Sequence, residues 1–236
     1  MSNVGQKEAK IITVFNQKGG VGKTHTTCHL AGTFGHRGYD VLVADLDPQQ
    51  TASTWVGKHK GVNFPGQVWQ GFPYQEHVSK HLQTLSGKYD LIFVDCAPSL
   101  GQPGTWASLL VSDLGIIPTK LGSTDLDALP ASMKLATTAL EEARRSFPMR
   151  ILTVAYQKGK ADHRSALQEL MKGDSRFPDV KLFDTTIGDR VAYQRAMGYG
   201  STAHSLPNSA DAAKELESLA DEVCKLLNIP LRKKGA

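Results

Sequence analysis

Residues 11–24 read Ile11-Ile12-Thr13-Val14-Phe15-Asn16-Gln17-Lys18-Gly19-Gly20-Val21-Gly22-Lys23-Thr24, a short apolar run, then a glycine-rich loop, then the opening of a segment with helical spacing. β-Branched and aromatic side chains in a brief run suit a buried strand. Glycines permit tight backbone turns and let successive N–H groups face one anion, while the start of a helix adds positive partial charge. In this order of strand, loop and helix, Lys23 reaches the β- and γ-phosphates of a nucleotide and the Thr24 hydroxyl ligates Mg²⁺. The general phosphate-loop pattern wants glycine at position 17, where this chain has Gln17. Glycine-rich structural turns are common, but a turn carrying both Lys18 and Lys23 between an apolar strand and a helix is not.

Outward from this loop, short Val- and Ile-rich runs alternate with longer segments of helical spacing, as in a parallel sheet covered by helices on both faces. The fold class is therefore α/β: a single-domain P-loop NTPase, residues 1–236, with a mostly parallel central sheet. Strands are expected at Ile11 to Phe15, Val41 to Asp45, Leu91 to Asp95, Leu114 to Pro118, Ile151 to Ala155 and Leu182 to Ile187. Helices are expected at Gly22 to His36, Ala128 to Arg145, His163 to Lys172, Asp189 to Met197 and Ser209 to Asn228. Pro130 fits only a first helical turn, because it has no N–H to donate. In the last helix Ala213, Leu216, Ala220, Val223 and Leu227 form a stripe that faces the core. The stretch from Gly57 to Phe72 has no clear period and reads as a loop with one edge strand. No repeat or linker divides the chain.

Parallel sheets present ligands at the carboxyl ends of their strands. The second strand ends Ala44-Asp45-Leu46-Asp47-Pro48, so both acids face the nucleotide; the alternative is an acidic turn closed by Pro48. A third carboxylate, Asp95, closes the apolar run Leu91-Ile92-Phe93-Val94. Carboxylates so placed bind Mg²⁺ directly or through water, since this ion prefers hard oxygen ligands and keeps several waters.

At 236 residues and 40% hydrophobic content the chain can bury one full core. Cys28, Cys96 and Cys224 are odd in number, far apart and without CxxC spacing, which indicates neither a disulfide framework nor a zinc ribbon. No run approaches the roughly 18 to 20 apolar residues of a membrane span, so a soluble, unexported, cytoplasmic protein is expected. A net charge of +4 is a mild bias toward anionic partners. His25, Cys28 and His29 share one helical turn, but no fourth ligand completes a metal site.

The sequence Lys18-Gly19-Gly20-Val21-Gly22-Lys23-Thr24, with Asp45-Leu46-Asp47-Pro48-Gln49, resembles the deviant Walker motif and first switch of the ParA/MinD ATPases, closest to short ParA-type partition proteins. Asp113 to Pro118, Asp125 to Ala128 and the last helix extend the likeness along the chain. The resemblance implies a Mg²⁺-dependent ATPase that forms a homodimer around ATP. In it Lys18 reaches the partner's nucleotide, Asp47 positions the attacking water, and Asp45 supports that water and the Mg²⁺ shell beside Thr24 and Asp95. Residues 18–24, His25, Tyr156 and Gln157 are then ATP contacts, and Lys120 to Thr124 form a second switch. His25 departs from the family, which more often has Thr there.

The family also implies nonspecific DNA binding, for which Arg190, Arg195, Arg232, Lys233 and Lys234 are candidates, with association with the nucleoid in the ATP state. Stimulation by a ParB-like adaptor and distribution of a plasmid, chromosome or other cargo follow from the same likeness. Only about ten residues precede the first strand, so an operator-binding helix-turn-helix is not expected. A MinD-like role at the membrane is the alternative; Pro230 interrupts any terminal anchoring helix, so no stable membrane association is expected. A cluster-bearing reductase of the nitrogenase type would need a second cysteine to match Cys96. A scaffold that binds nucleotide without turnover would not need Lys18, Lys23, Asp47 and Asp95 together.

Overall fold

A computed structural model describes residues 8–58, 63–99 and 101–232. At its centre is β1 (Lys10–Val14), flanked by β4 (Leu91–Asp95) and β5 (Leu114–Thr119). Outside β4 lie β2 (Val41–Asp45) and the edge strand β3 (Gln67–Gln70); outside β5 lie β6 (Met149–Thr153) and β7 (Val180–Leu182). Every pairing in this seven-stranded sheet is parallel, so the expected mostly parallel sheet is wholly so.

Both faces of the central strands are buried, which is why they read as continuous apolar runs. On one face Ile12, Val14, Val43 and Phe93 pack under α1 (Lys23–His36), α2 (Thr51–Val56), α7 (Val191–Tyr199) and α8 (Ala210–Leu227). On the other face Ile11, Leu42, Ile92 and Val94 pack under α3 (Val78–Ser86), α4 (Pro103–Leu109) and α5 (Ser123–Ala143). The remaining helix, α6 (Ala161–Met171), buries none of its residues fully. Fully buried Trp55 donates from Nε1 to the Ser201 carbonyl at 2.9 Å, joining α2 to the turn before α8.

Several expectations need correction. Pro130 lies inside α5, not in its first turn, because that helix begins at Ser123, where the Gly122 carbonyl accepts from the N–H groups of Asp125 and Leu126. Pro130 then leaves the Leu126 carbonyl without its helical donor. The last strand is shorter and earlier than Leu182 to Ile187; beyond Leu182 the chain continues through single bonds, with Phe183 N–H to Ile151 and Ile187 N–H to Thr153. In α8 Ala212 is buried where Ala213 was expected, while Leu216, Ala220, Val223 and Leu227 face the core as the stripe requires. Of the unperiodic stretch, residues 59–62 lie outside the described residues, and β3 supplies its edge strand. Among the described residues no helix is long and apolar enough to cross a membrane.

Candidate nucleotide site

The loop after β1 turns on Gly20 and Gly22, at φ 72° and 89°. These left-handed conformations strain any residue with a Cβ. A Cβ on Gly20 would meet nothing within 4 Å, so the requirement there is one of backbone and not of space. Val21 is buried beneath the loop, while Gly19 and Gly20 are exposed above it. Asn16 braces the loop: its Oδ1 accepts from the Lys18 N–H at 3.0 Å, and its Nδ2 donates to the Pro118 carbonyl at 2.9 Å. Gln17, the departure from the general pattern, is tied to α5, donating from Nε2 to the Ala128 carbonyl at 2.9 Å.

The loop opens on a cavity of about 450 Å³ lined by Gly19, Gly20, Lys23, Thr24, His25 and Asp47 among others. Lys23 is buried, which lowers its pKa against the pull of Asp95, Cys96 and Asp47, and its ammonium donates to the Lys18 carbonyl at 2.8 Å. The Thr24 hydroxyl donates to Asp95 Oδ2 at 2.7 Å, and Thr27, which sequence reasoning missed, sits 3.2 Å from Oδ1. Burial pushes the Asp95 carboxyl up to about 7, seconded by Asp45 and opposed by Thr24, Thr27 and Lys23. Asp45, 1% exposed, accepts from the Ser53 N–H at 2.7 Å and the Asp47 N–H at 3.1 Å, so it anchors the loop that carries Asp47. Its pKa too is raised by burial, against those two N–H groups. Lys18 turns toward the start of α5, 2.8 Å from Thr124 Oγ1 and 3.0 Å from Asp125 Oδ1.

These residues fit a nucleotide with Mg²⁺. Thr24 offers a hard oxygen at the cavity, with the carboxylates of Asp95 and Asp45 behind it, and the buried Lys23 ammonium stands at a glycine turn of the kind whose N–H groups suit an anion. Among the described residues no three His, Cys, Asp or Glu side chains gather for a metal, so His25, Cys28 and His29 form no such site. The Cys96 thiol is buried and pushed up to about 12 by that burial.

Past the phosphate loop the cavity is walled by Val154, Ala155, Ile187, Gly188 and Tyr193. Tyr156 and Gln157 stand just outside it, bonded to the same segment: Tyr156 N–H to the Ile187 carbonyl, and Gln157 Nε2 to Asp189 Oδ2 at 2.5 Å. The signal for this wall is the rule that ligands meet the carboxyl ends of parallel strands, obscured in the sequence because Ile187 reads as part of the last strand. His25 lines the cavity, packs its ring 5.1 Å from Trp55, and has its pKa lowered by burial and then by Lys120.

The candidate DNA contacts are scattered. Arg190 lines the cavity and is bound to Glu215 at 2.7 Å and Asp211 at 3.2 Å. Arg232 donates to the Gly38 carbonyl at 2.7 Å and lies over the Tyr39 ring. Arg195 is exposed on α7, and Lys233 and Lys234 lie outside the described residues.

Residues 12–203 match the family profile of the CobQ/CobB/MinD/ParA nucleotide binding domain. The chain is 26% identical to the maintenance of carboxysome distribution protein A of Halothiobacillus neapolitanus, over 93% of this chain and 99% of that one. It is 28% identical to the chromosome-partitioning ATPase Soj of Thermus thermophilus, over 90% and 94% of the two chains. The ATP complex of a Cyanothece McdA variant superposes with a TM-score of 0.74 at 16% identity, covering 95% of this chain and 98% of that one. The chain thus belongs to the CobQ/CobB/MinD/ParA nucleotide-binding family, and its relatives include ParA-type positioning ATPases.

Proposed function

We propose that this protein is an ATPase of the ParA type that binds ATP with Mg²⁺, pairs with a second copy and uses hydrolysis to position a cargo on DNA. The observation that carries this is one cavity lined by Lys23, Thr24 and Asp47, with Asp95 bonded to Thr24 and Asp45 to the Asp47 N–H behind that lining, under a loop that also holds Lys18. The loop N–H groups bind the phosphates, and Lys23 exchanges the Lys18 carbonyl for a phosphate oxygen. Thr24, with Asp95 and Asp45 directly or through water, would hold Mg²⁺, which when bound would supply charge neutralisation to the transferred phosphoryl group. Asp47 orients the attacking water from the cavity wall, and Asp45 holds Asp47 in place through its N–H. Lys18 leaves Thr124 and Asp125 to reach the partner's nucleotide, so pairing also releases the start of α5.

A second cation on the transferring group acts as an arginine finger does, contributing about 10³ to 10⁵ in rate. Hydrolysis is thereby coupled to dimerisation. Relatives that distribute carboxysomes and partition chromosomes support a positioning role, in which the dimer binds the nucleoid and a ParB-like adaptor triggers release. Of the candidate DNA contacts, Arg195 is the exposed one on α7, whereas Arg190 and Arg232 are engaged within the fold. The apolar stripe of α8 packs into the core and offers no membrane anchor.

The test pairs two variants. Lys18→Gln should still bind ATP but lose about 10³ in turnover, and Asp47→Ala should accumulate ATP-bound dimers that bind DNA and do not hydrolyse. Full-rate hydrolysis by a strictly monomeric Lys18→Gln protein would end this proposal.

A further inference from the structure

The cavity runs inward from the phosphate loop between α1 and the α7–α8 pair, where Val154, Ile187, Leu216 and Leu219 give it apolar walls and the ring of His29 completes it. His29 is 2% exposed, and neither of its ring nitrogens has a hydrogen-bond partner. The ring is gripped edge-on by Trp55 and Tyr193, at centroid distances of 5.1 and 5.0 Å. Both neighbours carry polar atoms, and both direct them elsewhere. Trp55 Nε1 donates to the Ser201 carbonyl, and the Tyr193 hydroxyl lies 2.7 Å from Glu215 Oε2 and 3.1 Å from the Ala212 carbonyl. The Tyr193 backbone stands close enough to favour the protonated ring slightly, without the geometry of a hydrogen bond.

Buried polar atoms in native proteins are nearly always paired, so an orphan imidazole in a cavity wall points to a missing partner. Packing alone would be served better by Phe, which fills similar space with nothing to satisfy. Burial, with His25 second, pulls the ring's pKa down to about 3. The ring is therefore neutral and offers one N–H donor and one acceptor nitrogen. With phosphates held at the glycine turn, the part of a nucleotide that meets apolar walls is its flat base, whose edge carries matching donors and acceptors.

We propose that His29 is a specificity-determining residue of this cleft, hydrogen-bonding the base of the bound nucleotide. This rests on the nucleotide-binding function proposed above. His29 stands outside the phosphate-loop motif, six residues beyond Lys23 along α1. The ring would then carry an unmet hydrogen bond in the empty protein, which the ligand satisfies.

The experiment measures affinities of the full chain, with Mg²⁺, for ATP, 2′-deoxy-ATP and inorganic tripolyphosphate, together with melting of the nucleotide-free protein, in wild type, His29→Phe and His29→Gln. His29→Phe should bind ATP about tenfold more weakly, keep its affinity for tripolyphosphate and melt higher when empty. His29→Gln, which retains a donor and an acceptor, should recover most of the ATP affinity. Unchanged ATP binding by His29→Phe would overturn the proposal. So would an equal loss for tripolyphosphate, which would make His29 a packing residue. If wild type binds 2′-deoxy-ATP as weakly as His29→Phe binds ATP, the partner is a ribose hydroxyl and the base assignment fails. Wild-type protein that binds neither ATP nor tripolyphosphate would instead refute the nucleotide function itself.

Discussion

At the phosphate end of the cleft every catalytic candidate already has an internal partner, whereas at the inner end His29 has none. Lys18 is held by Thr124 and Asp125, Lys23 by the Lys18 carbonyl, Thr24 by Asp95, and Asp45 by two N–H groups. A ligand arriving at this end must exchange one set of bonds for another. Its gain comes from placing concentrated charge between ammonium groups and N–H dipoles. A ligand at the inner end exchanges nothing; it supplies a bond that the fold leaves unmade. The phosphate end is thus suited to rate and to coupling with movement of the loop, and the inner end to choosing which nucleotide enters.

The largest effect that this contrast requires is at Lys23. Lys23→Ala should lower turnover by at least about 10³ and weaken ATP and tripolyphosphate alike, because it removes the buried ammonium proposed above to bind the phosphates. Steady-state hydrolysis and binding of both ligands are the measurements. Selective loss of ATP with tripolyphosphate spared would mean that the two ends have been assigned the wrong way round.

A smaller effect belongs to Arg37, which fixes the helix forming the inner wall. Its side chain, 2% exposed, reaches Glu217 at 2.6 Å and Asp221 at 2.7 Å, tying the end of α1 to α8, which supplies Leu216 and Leu219. Removing one partner of a buried pair costs about 3 to 5 kcal/mol. Glu217 and Asp221 retain 33% and 45% exposure, and solvent screening brings the expected loss for Arg37→Ala to about 2 kcal/mol in urea unfolding. The variant should also lose ATP affinity in preference to tripolyphosphate affinity. Unaltered selectivity would separate the α8 wall from base recognition.

The same division governs what the sequence alone discloses. The loop at the phosphate end lies in consecutive residues, with glycine and lysine at fixed spacing, so the turn from Lys18 to Thr24 and the helix after it were legible. Central strands β1, β2 and β4 were legible because burial on both faces demands unbroken apolar runs. The inner end is assembled from residues 29, 154, 187, 193, 216 and 219, which no short-range pattern links. Short helices α2, α3 and α4 were missed for a related reason: with few residues and few apolar positions, they are helical because tertiary contacts hold them. Gln17 could be seen as a departure but not explained, since its purpose, the bond to Ala128, exists only once α5 has docked.

The smallest expected effect is of pH on the α1–α8 junction. Burial alone would raise the Glu217 carboxyl, but hydrogen bonds from His204 and Arg37 outweigh it and hold the group at about 2, below its ordinary value of 4.5. A depressed folded-state pKa means that the folded form binds this proton less readily than the unfolded form. Its stabilisation is therefore present above pH 4.5 and is lost as pH falls from 4.5 toward 2. Melting temperatures measured between pH 6 and pH 3 should fall more steeply for wild type than for Glu217→Gln, which has no proton to gain at this position. Parallel slopes would place the acid sensitivity elsewhere, and the junction would then count as packing in the inner wall, with the charge of Glu217 contributing nothing to it.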